Sequence, residues 1–183
     1  MVDSSQDRWT ALGPKTRVLI FSSSPLLVQL TLHTLDIHNK PIISKVFNEP
    51  LRSEESDFIL FATDNLKEAA EFSPNIVLLG AVPELDSYND LLISIRAGGI
   101  LLYPKESQVI NQELKEVAQF FRKIPYEETT CTNNSLETDL GSVELNFDDS
   151  LLISHLDGVR NVLQHLGVME EEFYQALSEF ELI

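Results

Sequence analysis

The feature that most constrains this chain is an unbroken apolar run, Arg17-Val-Leu-Ile-Phe21, with turn residues directly after it. A half-exposed strand would alternate apolar and polar positions. A continuous run suits a strand covered on both faces, as in a parallel sheet. Ser24-Pro25 follows, a favoured helix N-cap and then a proline at the first helical position. Leu26, Leu27, Leu30 and Leu35 recur at helical spacing to about Asp36. Strand, tight turn and helix open a βαβ unit.

The same grammar repeats downstream. Residues 42–47 read as a second strand, 57–62 as a third, 75–79 as a fourth and 100–103 as a fifth, closed by Pro104. A short helix is predicted over residues 66–72 and another over 88–97, stopped by Gly98-Gly99. An amphipathic helix is predicted over 112–123, with Leu114, Val117, Ala118 and Phe121 on one face. Strands alternating with helices predict the α/β class, a doubly wound, mostly parallel sheet. After Ile124 the pattern changes. Val143, Leu145 and Phe147 alternate with Glu144, Asn146 and Asp148, as in a small half-exposed antiparallel β segment. Residues 151–166 and 170–180 read as two helices joined at Gly167, a C-terminal helical hairpin within 150–183. Residues 1–15 are polar and read as an N-terminal tail ahead of one domain over 16–183. Trp9, the sole tryptophan, is expected to bury against that domain.

Charge narrows the function classes. The chain carries 13 basic and 29 acidic residues, a formal net charge of −16. From Ile124 onward there are thirteen acids and one base, Arg160. Such a surface repels nucleic-acid phosphates and anionic lipid, so neither is an expected partner. The single cysteine, Cys131, allows no internal disulfide and has no evident base partner. No apolar run reaches membrane-spanning length, so a cytoplasmic location is the expectation.

The tail, His165-Leu-Gly-Val-Met-Glu-Glu-Glu-Phe-Tyr-Gln-Ala-Leu-Ser-Glu-Phe180, resembles the helical end of a Mur ligase central domain. Pro74-Asn-Ile-Val-Leu-Leu79, Leu85-Asp-Ser-Tyr88 and Gly98-Gly-Ile-Leu-Leu-Tyr103 are similar to the middle of that domain. Asp57-Phe-Ile-Leu-Phe-Ala-Thr-Asp64 stands where the family has its acidic metal-binding strand. The resemblance runs from about Arg17 to the C-terminus in the family's order. It implies a P-loop-type ATP-binding fold. Mur ligases join an amino acid or peptide to a UDP-muramyl precursor through an acyl phosphate made with ATP and magnesium. A complete enzyme has three domains, and this chain resembles the middle one.

Against that pattern the chemistry is missing at the phosphate cradle, around the metal and at the adenine contact. The family's phosphate cradle is a glycine-lysine-threonine/serine loop after the first strand; glycine admits the phosphates, lysine offsets their charge and the hydroxyl holds magnesium. Here the loop is Phe21-Ser-Ser-Ser-Pro-Leu-Leu27, with Leu26 or Leu27 about where the lysine belongs. The Glu-x-Asp metal motif is reduced to Ala62-Thr63-Asp64, and alanine offers a hard cation no oxygen. The family's histidine after the fourth strand is replaced by Pro83-Glu84. Its adenine-contacting His-Asn-x-x-Asn segment is reduced to Leu151-Leu-Ile-Ser-His155, with His155 near the second asparagine.

Two readings follow. The first is a non-catalytic Mur-ligase-like protein, a pseudoenzyme with a binding or regulatory role, linked through the resemblance to peptidoglycan precursor synthesis. It assigns no catalytic residue and no metal ligand, expects no cofactor, and expects another protein or a second copy as partner. The second is a divergent nucleotide- or anion-binding enzyme, with an amide-forming ligase-like activity as the inherited guess. It would use Ser22, Ser23, Ser24, Asp64, Glu84 and Asp86 near the carboxyl ends of the strands, where open α/β sheets place ligands, with His155 beside them. Magnesium-ATP is expected only where that degenerate site still binds. Ser24 is expected chiefly to cap its helix, and His155 and His165 to lie at the surface or its boundary. His33 and His38, five residues apart, are poorly placed to share a metal.

Overall fold

The computed structural model describes residues 9–82 and 85–182. Strands β1 (Thr16–Phe21), β2 (Ile43–Val46), β3 (Phe58–Thr63), β4 (Ile76–Leu79), β5 (Ile100–Pro104) and β6 (Arg122–Tyr126) form one sheet in the order β2-β3-β1-β4-β5-β6. Every neighbouring pair is parallel. Helices α1 (Pro25–Ile37), α2 (Leu66–Phe72), α3 (Asn89–Ser94) and α4 (Gln108–Glu113) follow β1, β3, β4 and β5, while β2 leads to β3 without a helix. A hairpin of β7 (Ser135–Thr138) and β8 (Gly141–Glu144) follows, then α5 (Ser150–Ser154), α6 (Leu156–His165) and α7 (Glu170–Glu179). This is the doubly wound α/β class expected from the apolar runs.

The pleat divides the core. Val18, Ile20, Leu60, Leu78 and Leu102 face α1, α6 and α7, meeting Leu27, Leu30, Val159, Val162 and Phe173. Leu19, Phe21, Ile59, Val77 and Leu101 face the other way, meeting Phe72 on α2, Leu91 on α3 and Ile110 on α4. Trp9 joins that second cluster at 2% exposure, its ring 5.0 Å from Phe61 and 4.6 Å from Phe72. Expected burial of this residue is thus met by an aromatic trio.

Four local expectations are corrected. The helix predicted over 112–123 is instead the short α4, ending at Glu113, after which the chain turns into β6. Leu114 and Phe121 are still buried, but from a loop. The sixth strand escapes a propensity reading because it is an edge strand carrying Arg122, Lys123 and Pro125, and only an edge tolerates the missing proline donor. The helix predicted over 88–97 stops at Ser94, where Ile95 turns extended (φ −61°, ψ 128°) and is fully buried. The helix predicted over 151–166 breaks at His155 into α5 and α6. Of the alternating segment 143–147, only Val143 and Glu144 belong to a strand, paired with the unpredicted β7. Among the described residues no helix is long and apolar enough to cross a membrane.

From β1 the chain crosses toward β3 and β2, then returns to β1's other side with β4. Such a reversal leaves a crevice at the carboxyl ends of β1 and β4, the usual ligand position in open α/β sheets.

Candidate functional site

At that crevice the β1–α1 turn is closed. Ser22 N–H donates to the Thr63 carbonyl at 3.1 Å, and Ser23 N–H donates to the Ala81 carbonyl at 2.7 Å. The Ser22 and Ser23 hydroxyls both donate to that same Ala81 oxygen at 3.0 Å. Ser24 N–H donates to Ser22 Oγ at 3.1 Å. The next residue is Pro25, which has no N–H. A phosphate cradle needs free backbone amides converging on one point. Here the three serine amides are spent on the end of β3, the end of β4 and one another.

Ser24 occupies the N-cap position with extended backbone (φ −87°, ψ 118°), yet its side chain makes no capping bond. This corrects the expected capping role: helix entry rests on backbone geometry and on Pro25. Of the two leucines near the place where the family's lysine belongs, Leu26 is half-buried and Leu27 is fully buried. Leu27 fills a notch left by Gly80, where a Cβ would come within 2.6 Å of Leu27 Cδ2 and 3.1 Å of Ser22 Oγ.

Of the remaining candidates, Asp64 and Asp86 follow the carboxyl ends of β3 and β4. Asp64 is exposed just after β3, beside Thr63, whose hydroxyl donates to Glu68 Oε2 at 3.1 Å. Asn65 next to it caps α2, accepting from Lys67 N at 3.0 Å and Glu68 N at 3.2 Å. Asp86 is exposed ahead of α3, and Glu84 lies outside the described residues. Among the described residues no group of three His, Cys, Asp or Glu side chains is placed to hold a metal. Among the described residues the three serine amides are engaged, leucine stands for lysine and no cluster of acids is placed for a metal, so these residues do not fit magnesium-ATP.

No protein-family model matches this sequence, and no curated protein matches it in sequence. Solved structures do. UDP-N-acetylmuramate:L-alanyl-gamma-D-glutamyl-meso-diaminopimelate ligase from Neisseria meningitides superposes with a TM-score of 0.73 at 11% identity, over 98% of this chain and 70% of that one. MurF ligase from Thermotoga maritima, solved in complex with ADP, gives 0.68 at 12% identity, over 100% of this chain and 54% of that one. FolC from E. coli, solved with DHPP and ADP, gives 0.57 to 0.58 in company with a Helicobacter pylori folylpolyglutamate synthetase, at 9% and 11% identity. The chain has a Mur-ligase-like fold. Identities this low carry the architecture and no activity. The chain spans about half of the MurF ligase and 60% of FolC.

In this Mur-ligase-like domain one buried polar pair is not revealed by local sequence patterns. Tyr126, at the end of β6, is 1% exposed. Its hydroxyl lies 2.5 Å from the Leu79 carbonyl and 2.8 Å from His155 Nδ1. A carbonyl only accepts, so the phenol proton goes to Leu79 and the imidazole must donate from Nδ1. His155 is 9% exposed, deeper than the surface or boundary position expected for it. Burial pushes its pKa down from 6.5 to about 4. Burial, assisted by the Asp157 and Glu128 carboxylates, pushes the Tyr126 phenol far above its ordinary value. Both groups are neutral at neutral pH. Gly158 lets α6 settle here, since a Cβ would meet the Tyr126 ring at 2.8 Å. The pair is a strut tying the α5–α6 break to the end of β4. No hydrophobic period announces it, because its members lie 29 residues apart.

Proposed function

We propose that this chain is a non-catalytic protein of Mur-ligase-like fold, a pseudoenzyme that acts by binding in the cytoplasm. The observation that carries the reading is the closed β1–α1 turn, whose three serine amides are engaged internally. Buried Leu27 behind it supports the same reading, since phosphoryl transfer requires a cation there. The names of the Mur ligases with this fold, built on muramate peptides, make peptidoglycan precursor synthesis the proposed setting. No cofactor is proposed. The partner is another protein or a second copy of this chain. Phe120 at 80% and Ile93 at 54% exposure supply apolar surface for it.

The test is calorimetric titration with magnesium-ATP, alongside an ATP hydrolysis assay. The expected result is neither magnesium-dependent binding nor turnover. Micromolar magnesium-dependent ATP affinity would overturn the proposal and restore the divergent-enzyme reading. Light scattering at micromolar concentration separates the two partner forms, because a monomeric mass refutes self-association.

A further inference from the structure

Charge is sorted between the two ends of edge strand β6. Residues 114–123, which lead into the strand and open it, carry Lys115, Arg122 and Lys123, all exposed, against one acid, Glu116. Among the described residues no ion pair engages any of these three bases. Phe120 stands among them at 80% exposure, and among the described residues no large apolar side chain is more exposed. Its backbone is fixed, the carbonyl accepting from Gly98 N–H at 2.8 Å. An aromatic ring held in water on a fixed loop forfeits the burial that a partner surface would supply.

Past the other end of β6 the composition inverts. Residues 126–150 contain seven acids and no base. There a cavity of about 200 Å³ lies between the end of β6, the β7–β8 hairpin, α6 and α7. Buried Leu136, Leu156 and Phe173 give it an apolar lining, and exposed Glu128 and Glu137 line it as well. The base in the lining, Arg160, is already held by Asp157 and Glu170, each at 2.6 Å. The cavity therefore joins apolar walls to uncompensated negative charge. Its size suits one aromatic ring, since an apolar cavity of about 150 Å³ takes up benzene.

We propose that this cavity receives Phe120 of a second copy of this chain, with Arg122 of that copy facing Glu128 and Glu137. Shape, apolarity and charge all match between the two surfaces. Phe120 lies two residues before β6 begins, and Glu127, in the cavity lining, one residue after it ends. Two β6 edges set antiparallel about a two-fold axis carry each Phe120 toward the other copy's cavity, so both contacts form at once. Pro125 leaves the edge short of an N–H donor, so side chains carry the contact and the sheet does not continue across it. The pairing rests on the second-copy form of the partner proposed above and is independent of the serine turn.

Light scattering of the full chain across a micromolar concentration series is the test. At physiological ionic strength screening confines charge effects to about 8 Å, so the −16 carried by each copy acts little beyond the contact. The expected result is a mass that rises from one copy to two and stops there. Phe120→Asp, at an exposed position, should weaken dimerisation about ten-fold or more. Arg122→Glu and Glu137→Lys should each weaken it, and both in one chain should recover it, because each reversed charge then meets a reversed partner. A folding defect would show no such recovery. A monomer throughout, masses beyond two copies, a dimer indifferent to Phe120→Asp, or reversals without recovery would overturn the proposal. Magnesium-ATP titration of the same samples keeps the readings apart: ATP binding by an intact dimer overturns the non-catalytic reading alone, and a monomer that binds no ATP overturns the pairing alone.

Discussion

Acidification should weaken this protein through His155 before its carboxylates are titrated. The imidazole is buried against Tyr126 and has a folded pKa near 4 against an ordinary 6.5. With the folded pKa the lower one, the unfolded chain takes up the proton first as pH falls. The stabilisation is complete above about pH 6.5 and is progressively lost toward the folded pKa. Integrating the difference in proton uptake down to about pH 5 gives a loss of about 2 kcal/mol.

His155→Phe isolates the effect. The substitution keeps a ring of similar size and leaves the Tyr126–Leu79 hydrogen bond in place, while removing the titrating group. Urea denaturation at about pH 7.5 and about pH 5 measures both proteins. Contributions shared by both, such as Glu172, whose pKa is held down chiefly by the Met169 backbone N–H, cancel in the comparison. Wild type should lose about 2 kcal/mol more than the variant over that interval. Parallel losses would refute the argument, showing that His155 is hydrated or already charged in the folded protein.

Two packing predictions accompany it. Trp9→Ala removes a 2%-exposed ring from the Phe61–Phe72 trio and should cost about 3–5 kcal/mol by urea denaturation. A cost under about 1 kcal/mol would mean that residue 9 does not belong to the core. Gly80→Ala drives a Cβ to 2.6 Å from Leu27 and should destabilise by about 1–3 kcal/mol; unchanged stability would show the turn to be loosely packed.

What was legible in the sequence follows a physical division. The strands β1, β3, β4 and β5 are buried on both faces, and burial of that kind writes itself as an uninterrupted apolar run. Edge strand β6 has one flank open and is free to carry Arg122, Lys123 and Pro125, so its composition argued for something else. Leu114, Val117 and Phe121 kept helical spacing, yet a loop buries Leu114 and Phe121 equally well. Spacing reports which side chains need cover and leaves open the backbone that brings them there. The missing lysine and metal acid were legible because absence of a side chain needs no geometry. Closure of the serine turn was not, because its acceptor, the Ala81 carbonyl, is supplied by a segment 59 residues away from Ser22.

That closure changes what the missing chemistry means. A leucine in place of a lysine could have left an open loop with one contact absent, repairable by one substitution. Instead Leu27 is fully buried against Gly80, and the Ser22 hydroxyl both donates to Ala81 and accepts from Ser24. The turn has become part of the core. Leu27→Lys would therefore bury an ammonium in the space that Leu27 fills against Gly80. The amides would remain engaged by Thr63, Ala81 and Ser22. Restoring a phosphate site would require those hydrogen bonds and the Leu27–Gly80 contact to be given up together. On the proposed reading, the residues that pack the β1–α1 junction are the same ones that close it to a nucleotide.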